Sequence, residues 1–166
     1  IANTQIRVIR EFGYDWCWLH IDDVMEFGVL GVGVRGGGNI VPCTADYLPA
    51  TYETLKGMKL PNPHRDGRMP MMLEVLSRIR SEFADEICAC GRVAAPFSAA
   101  TLIYGMQEAG LLVYLDPKLL KDTIEFCTEL AILWGEAQIN AGAHAIWLGD
   151  CNASTHLISL LHFREF

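Results

Sequence analysis

The sequence predicts an α/β protein with parallel strands, a (β/α) TIM-type barrel of which roughly half is present. Three observations predict this. Short apolar runs of strand character begin near residues 15, 86 and 143. Helical periodicity fills the chain between them, and such alternation implies parallel pairing with crossover connections. Each run also ends in polar or flexible residues, Asp22-Asp23, Gly91-Arg92 and Asp150-Cys151-Asn152. A parallel barrel carries its chemistry at those carboxyl ends, and a closed one needs about 250 residues. This chain has 166, read as a single partial barrel domain over 1–166.

Each element has a local reason. Asn3 is read as an N-cap, with Ile6, Ile9 and Phe12 on one helical face and Gly13 as the stop. Residues 15–21, DWCWLHI, form a short apolar run that suits a buried strand. A short helix over 24–30 closes at Gly31. Residues 31–70 carry a glycine-rich stretch and Pro42, Pro49, Pro61, Pro63 and Pro70, and read as an irregular insertion with one short helix over 52–58. Residues 71–83 place Met72, Leu76, Ile79 and Phe83 on one face of a helix. The second strand, 86–90, ends at Gly91, and a helix follows Pro96 as far as Glu108. Asp116-Pro117 is a helix start, cap and first-turn proline together, for a helix reaching about Asn140. The third strand is 143–148, and a last helix begins near Ser159.

Composition narrows the function. The chain is 51% hydrophobic and 20% charged, so it can pack a core. A net charge of −7 with scattered Lys and Arg speaks against nucleic acid and against an acidic membrane surface. No apolar run reaches the ~20 residues of a membrane span, and no signal-peptide pattern opens the sequence. The first residue is Ile, so the chain is read as processed or trimmed. Six cysteines, mostly within apolar runs, fit a reducing cytoplasm better than a disulfide scaffold.

Several constellations are candidates for chemistry, each with a structural alternative. Asp22 and Asp23 follow the first strand and can bind an NH-rich or cationic substrate or move protons; they can equally cap the next helix. His20, alternating within that strand, is a candidate pocket-lining residue or a satisfied core histidine. Gly31, Gly33 and Gly36 match GxGxxG in letters, but no strand precedes them and prolines follow, so a turn or irregular hairpin is expected. Cys88 and Cys90 share a strand face and are read as core. Asp150, Cys151, Asn152, Ser154 and His156 are the densest polar cluster and are expected to line a site. The alternative is a loop whose side chains satisfy backbone groups. No metal site is assigned.

In this order the motifs resemble one known family. Tyr14-Asp15 through Asp22 to Leu30-Gly31, then Pro96-Phe97-Ser98-Ala99-Ala100-Thr101, then Ala141-Gly142-Ala143-His144 through Gly149-Asp150-Cys151 to Leu157-Ile158-Ser159 and Phe163-Arg164-Glu165-Phe166 are similar to the uroporphyrinogen decarboxylase superfamily. The resemblance implies a (β/α)₈ barrel and one of two activities. One branch removes carboxylates from porphyrinogen acetate arms without a cofactor. The other, zinc-dependent, moves a methyl group between a corrinoid protein and a thiol-type acceptor. By position Asp22 matches the decarboxylase aspartate that binds pyrrole NH groups, and is the candidate catalytic residue. Leu102 stands where the decarboxylases have a tyrosine and Cys151 where they have a serine. Glu26, within Glu-Phe-Gly-Val-Leu-Gly, and the Gly-Asp-Cys-x-Ala-Ser string look more like the methyltransferase branch. The decarboxylases' arginine-rich segment is expected upstream of Ile1. The His-x-Cys and later Cys of the zinc site are expected beyond Phe166, for no His-x-Cys occurs in the chain.

The leading expectation is therefore methyl transfer to or from a thiol-type molecule. Asp22 is catalytic in it, and His20, Asp23, Glu26, Asp150, Cys151, Asn152 and His156 bind a small-molecule substrate. No cofactor is expected on this chain itself. Zinc belongs to the full-length protein and the corrinoid to a partner protein. The alternatives are porphyrinogen decarboxylation and a catalytically silent assembly module. An open half-barrel leaves sheet edges and apolar faces unpaired, so a homo-oligomer is expected.

Overall fold

The computed structural model describes residues 1–19 and 21–166. Its centre is a three-stranded parallel sheet made by β1 (Trp16–Trp18), β4 (Cys88–Ala94) and β5 (Ala145–Gly149), in the order β1-β4-β5. β2 (Gly33–Gly37) and β3 (Ile40–Asp46) form a separate antiparallel hairpin. The helices are α1 (Ala2–Phe12), α2 (Met25–Gly28), α3 (Tyr52–Gly57), α4 (Met69–Phe83), α5 (Pro96–Tyr104), α6 (Met106–Leu115), α7 (Pro117–Asn140) and α8 (Leu160–Glu165). Among the described residues no helix is long and apolar enough to cross a membrane.

Alternation along the strands decides which face is dry. Cys17 and Leu19 on the β1 side and Ala89 and Val93 of β4 pack under Ile9 of α1, Leu76 and Ile79 of α4 and Trp134 of α7. A second core joins Phe97, Ala100 and Ile103 of α5 to Leu112 of α6, Leu120 and Cys127 of α7 and Phe27 of α2. The opposite face of the sheet carries Trp16, Trp18 and Trp147, all exposed, with the rings of Trp18 and Trp147 edge to face at 5.2 Å. Burial pushes the Cys17 thiol up to about 11 and the Cys127 thiol up to about 12. Both therefore pack as small hydrophobes rather than as nucleophiles.

Several elements differ from the sequence reading. Ile1, not Asn3, precedes α1; Asn3 lies in the first turn, where its side-chain oxygen accepts from Arg78. β1 is only three residues long, with one further ladder bond from the Leu19 N–H to the Cys90 carbonyl at 2.9 Å. β4 does not stop at Gly91 but runs on to Ala94. The helix after Pro96 is two helices, broken at Gly105, whose φ of 88° and ψ of 148° are not helical and suit glycine. Asp116 caps α7 as its dipeptide predicts, accepting from the Leu119 N–H at 3.0 Å. The Tyr52 hydroxyl also donates to Asp116, at 3.3 Å, tying α3 to that cap.

Gln138 fixes the end of β4. Arg92 lies two residues past Cys90, which bonds to Leu19, and among the described residues no β1 backbone group pairs with it. Fully buried Gln138 of α7 takes that place. Its Oε1 accepts from the Arg92 N–H at 3.0 Å and its Nε2 donates to the Arg92 carbonyl at 3.0 Å. Gly91 allows the approach, since a Cβ there would lie 2.4 Å from Gln138 Oε1.

Candidate functional site

Parallel strands bring the three carboxyl ends to one rim, and two clusters form there. The first joins the loop after β1, the short α2, the start of α4 and the end of β4. Asp22 is buried, and both of its oxygens are engaged. Oδ1 accepts from the Val24 N–H at 2.8 Å, closing the turn into α2, and Oδ2 pairs with the Arg68 guanidinium just before α4. Asp23, half exposed, accepts from Arg92 Nη2 at 2.9 Å through Oδ1. Glu26, only 2% exposed, has Oε1 3.6 Å from Arg92 Nη1, beyond hydrogen-bond reach. Leu19, Ile21, Met25, Met72 and Trp134 wall the space between Asp22, Glu26 and Arg92, a cavity of about 10 Å³.

The electrostatics follow from burial. Loss of water raises the Glu26 carboxyl to about 7. Arg92 opposes the rise, as do backbone N–H groups of Glu26 and Ala94, and Asp22 adds to it.

The second cluster joins the turn after β5 to α5. Asp150 Oδ1 accepts from the Ser98 N–H at 2.8 Å and from the Ser98 hydroxyl at 2.6 Å. The Asn152 N–H donates to Ser98 Oγ at 3.1 Å, and Asn152 Nδ2 to Thr101 Oγ1 at 2.6 Å. Ala95 gives α5 no side-chain cap, so Asp150 supplies a cap from across the rim, where the helix dipole favours negative charge. Replacing Asp150 by Ala is expected to cost about 1–2 kcal/mol, measurable by urea denaturation. Ser98→Ala should cost less, because the backbone N–H contact survives it.

The predicted residues thus divide. Asp22, Asp23 and Glu26 come together, and Asp150 and Asn152 come together on Ser98 and Thr101. Cys151 and His156 lie exposed on the turn after β5. His20 lies outside the described residues. Arg68, Arg92 and Ser98 were not among the predicted site residues. Arg92 had a visible signal, a guanidinium set in the apolar run from Ala89 to Ala95. Arg68 sits among glycines and prolines with no periodicity to place it. Among the described residues no group of three or more His, Cys, Asp or Glu side chains is placed to hold a metal ion.

The family model for uroporphyrinogen decarboxylase (URO-D) matches residues 1–166. The chain belongs to that family. A methylated-thiol–coenzyme M methyltransferase of Methanosarcina mazei is 30% identical, over 100% of this chain and 52% of its own length. A uroporphyrinogen decarboxylase of Anaeromyxobacter sp. (strain Fw109-5) is 28% identical, over 90% of this chain and 47% of its own. The solved structure of a methyltransferase from Methanosarcina mazei superposes with a TM-score of 0.87 at 23% identity, covering 99% of this chain and 49% of that one. That likeness establishes the fold as part of a barrel of this family. The chain spans about half the length of the curated relatives it matches. Relatives of both activities, methyl transfer and decarboxylation, therefore flank this family member.

Proposed function

We propose that the protein transfers a methyl group between a corrinoid protein and a thiol-type molecule. The observation that carries this reading is the methylated-thiol–coenzyme M methyltransferase, matched along the whole of this chain. Two site positions support it. Leu102 offers no hydroxyl where the decarboxylases are expected to have tyrosine, and Cys151 stands in place of a serine. Asp22 is the proposed catalytic residue, held rigidly by Val24 and Arg68. Asp23 and Glu26 line the substrate space beside it. Asp150, Cys151, Asn152 and His156 are the proposed outer lining from the end of β5, and His20 is kept from the sequence as a further proposed substrate-binding residue. A zinc ion would serve to activate the thiolate, and the corrinoid would arrive on a partner protein. The six free cysteines fit a reducing compartment, the cytoplasm. The exposed Trp16, Trp18 and Trp147 and the open edges of β1 and β5 favour burial of this face against further barrel strands or a second copy.

The test is an assay of the full-length protein with a methylated thiol and a demethylated, reduced corrinoid protein, beside a parallel assay with uroporphyrinogen. Turnover in the first and none in the second is expected. The reverse result would replace this reading with decarboxylation, which the Anaeromyxobacter relative represents. Asp22→Asn keeps an oxygen for the Val24 N–H and loses the ion pair with Arg68. It is expected to lower kcat/KM by about 100-fold or more; unchanged turnover would remove Asp22 from the catalytic role.

A further inference from the structure

Two buried polar atoms of the first cluster have no hydrogen-bond partner, and both belong to residues that line the same small cavity. Glu26 Oε1 accepts no hydrogen bond, and Arg92 Nε donates none. Their side chains are 3% and 9% exposed. Buried polar groups are almost always satisfied, by protein, ordered water or a bound molecule, so two open atoms beside one cavity mark room for a polar guest. The cavity that Glu26, Arg92 and Asp22 line is about 10 Å³, the size of a single water or of one polar atom of a substrate.

The charges single out Glu26. Arg68 pairs with Asp22, and Arg92 reaches Asp23 at 2.9 Å. That leaves three carboxyl groups for two guanidinium groups. Glu26 shares Arg92 with Asp23, at 3.6 Å, and lies among Leu19, Met25, Met72 and Trp134. A buried carboxyl whose cation is shared and beyond hydrogen-bond reach is pushed toward its protonated form.

We propose that Glu26 is the proton-carrying residue of this site, acting as a carboxylic acid on a polar atom held in the cavity, and that Arg92 is the residue that positions it. The step is a simple transfer. The Glu26 O–H proton passes to the substrate atom, the carboxylate left behind faces Arg92, and solvent water restores the proton. The inference rests on the reading that this cluster is a reaction site, and it suits either branch. A thiolate leaving a methylated thiol must take a proton, and a carbon losing carbon dioxide must take one in its place.

The test is the carboxyl ¹³C titration of the full-length protein labelled at glutamate, with the Glu26 signal assigned by its loss in Glu26→Gln. Titration near neutrality is expected, with the midpoint moving upward in Arg92→Gln and returning toward the parent value in Arg92→Lys. A midpoint in the ordinary carboxylate range, or one that ignores Arg92, would overturn the proposal. In turnover, Glu26→Gln should lower kcat/KM by about 100-fold and remove the limb of the pH profile near neutrality, and an unchanged profile would also overturn it. If neither a methylated thiol nor uroporphyrinogen reacts with the parent protein, the proposed function fails, while the titration still decides the role of Glu26.

Discussion

Gln138→Leu is expected to destabilise the protein by about 2–4 kcal/mol. Leucine nearly matches glutamine in volume, so little cavity opens. What changes is the backbone of Arg92, whose N–H and carbonyl lose their partners at 3.0 Å in a dry interior. Each buried group left unsatisfied costs about 1–3 kcal/mol. For a protein of this size that lowers the melting temperature by roughly 5–15 °C. Thermal unfolding measures it directly, and a loss below about 1 kcal/mol would show that the Arg92 backbone finds other partners. Gly91→Ala should act on the same contact, since its Cβ would meet Gln138 Oε1 at 2.4 Å and Ile146 Cδ1 at 2.9 Å. The glutamine is held at both ends and cannot withdraw. The two substitutions should therefore combine with less than additive loss, the mark of a shared interaction.

This contact also shows where sequence reasoning stops. Elements with local causes were legible. Asp116-Pro117 starts α7 because a carboxylate cap and a first-turn proline act within four residues. The parallel sheet was legible because apolar runs bounded by polar tips alternate with helical stretches, which implies crossover pairing; the exposed face with Trp16, Trp18 and Trp147 was not. Gln138 was not, since a glutamine in a long helix looks solvent-facing until a strand end needs its amide. The extension of β4 past Gly91 was hidden for the same reason: the glycine that reads as a stop is there to admit Gln138. In the site, Asp22 and Asp23 were visible as a pair, but their partners were not. Arg68 is 46 residues from Asp22 in the chain, and no short-range pattern links them. The Asp150 cluster was visible as polar density after a strand. Its bond to Ser98, 52 residues away, depends on how β5 meets α5, which only the fold sets.

Glu26→Gln is expected to make the protein more stable than its parent above neutral pH, by up to about 3 kcal/mol. In the folded state burial raises the Glu26 carboxyl from 4.5 to about 7. The native state then binds the proton more tightly than the unfolded chain, and its stabilising contribution is complete below about pH 4.5. It declines as pH rises and is lost once pH has passed the folded value. The difference is worth about 1.4 kcal/mol for each pH unit of that interval. Arg92 limits the loss by facing the charged form, and Asp22 adds to it. Glutamine has no proton to lose, so the stability of the variant relative to the parent should climb between about pH 4.5 and pH 8. Urea unfolding across that range isolates the effect, because every other titrating group is common to both proteins. A gap that stays constant with pH would mean that Glu26 is not buried as a neutral acid. A carboxyl that weakens the fold at neutral pH has no structural reason to occupy a cavity walled by Leu19, Met25 and Trp134. Such a cost fits the proton-carrying role proposed for Glu26 beside Arg92.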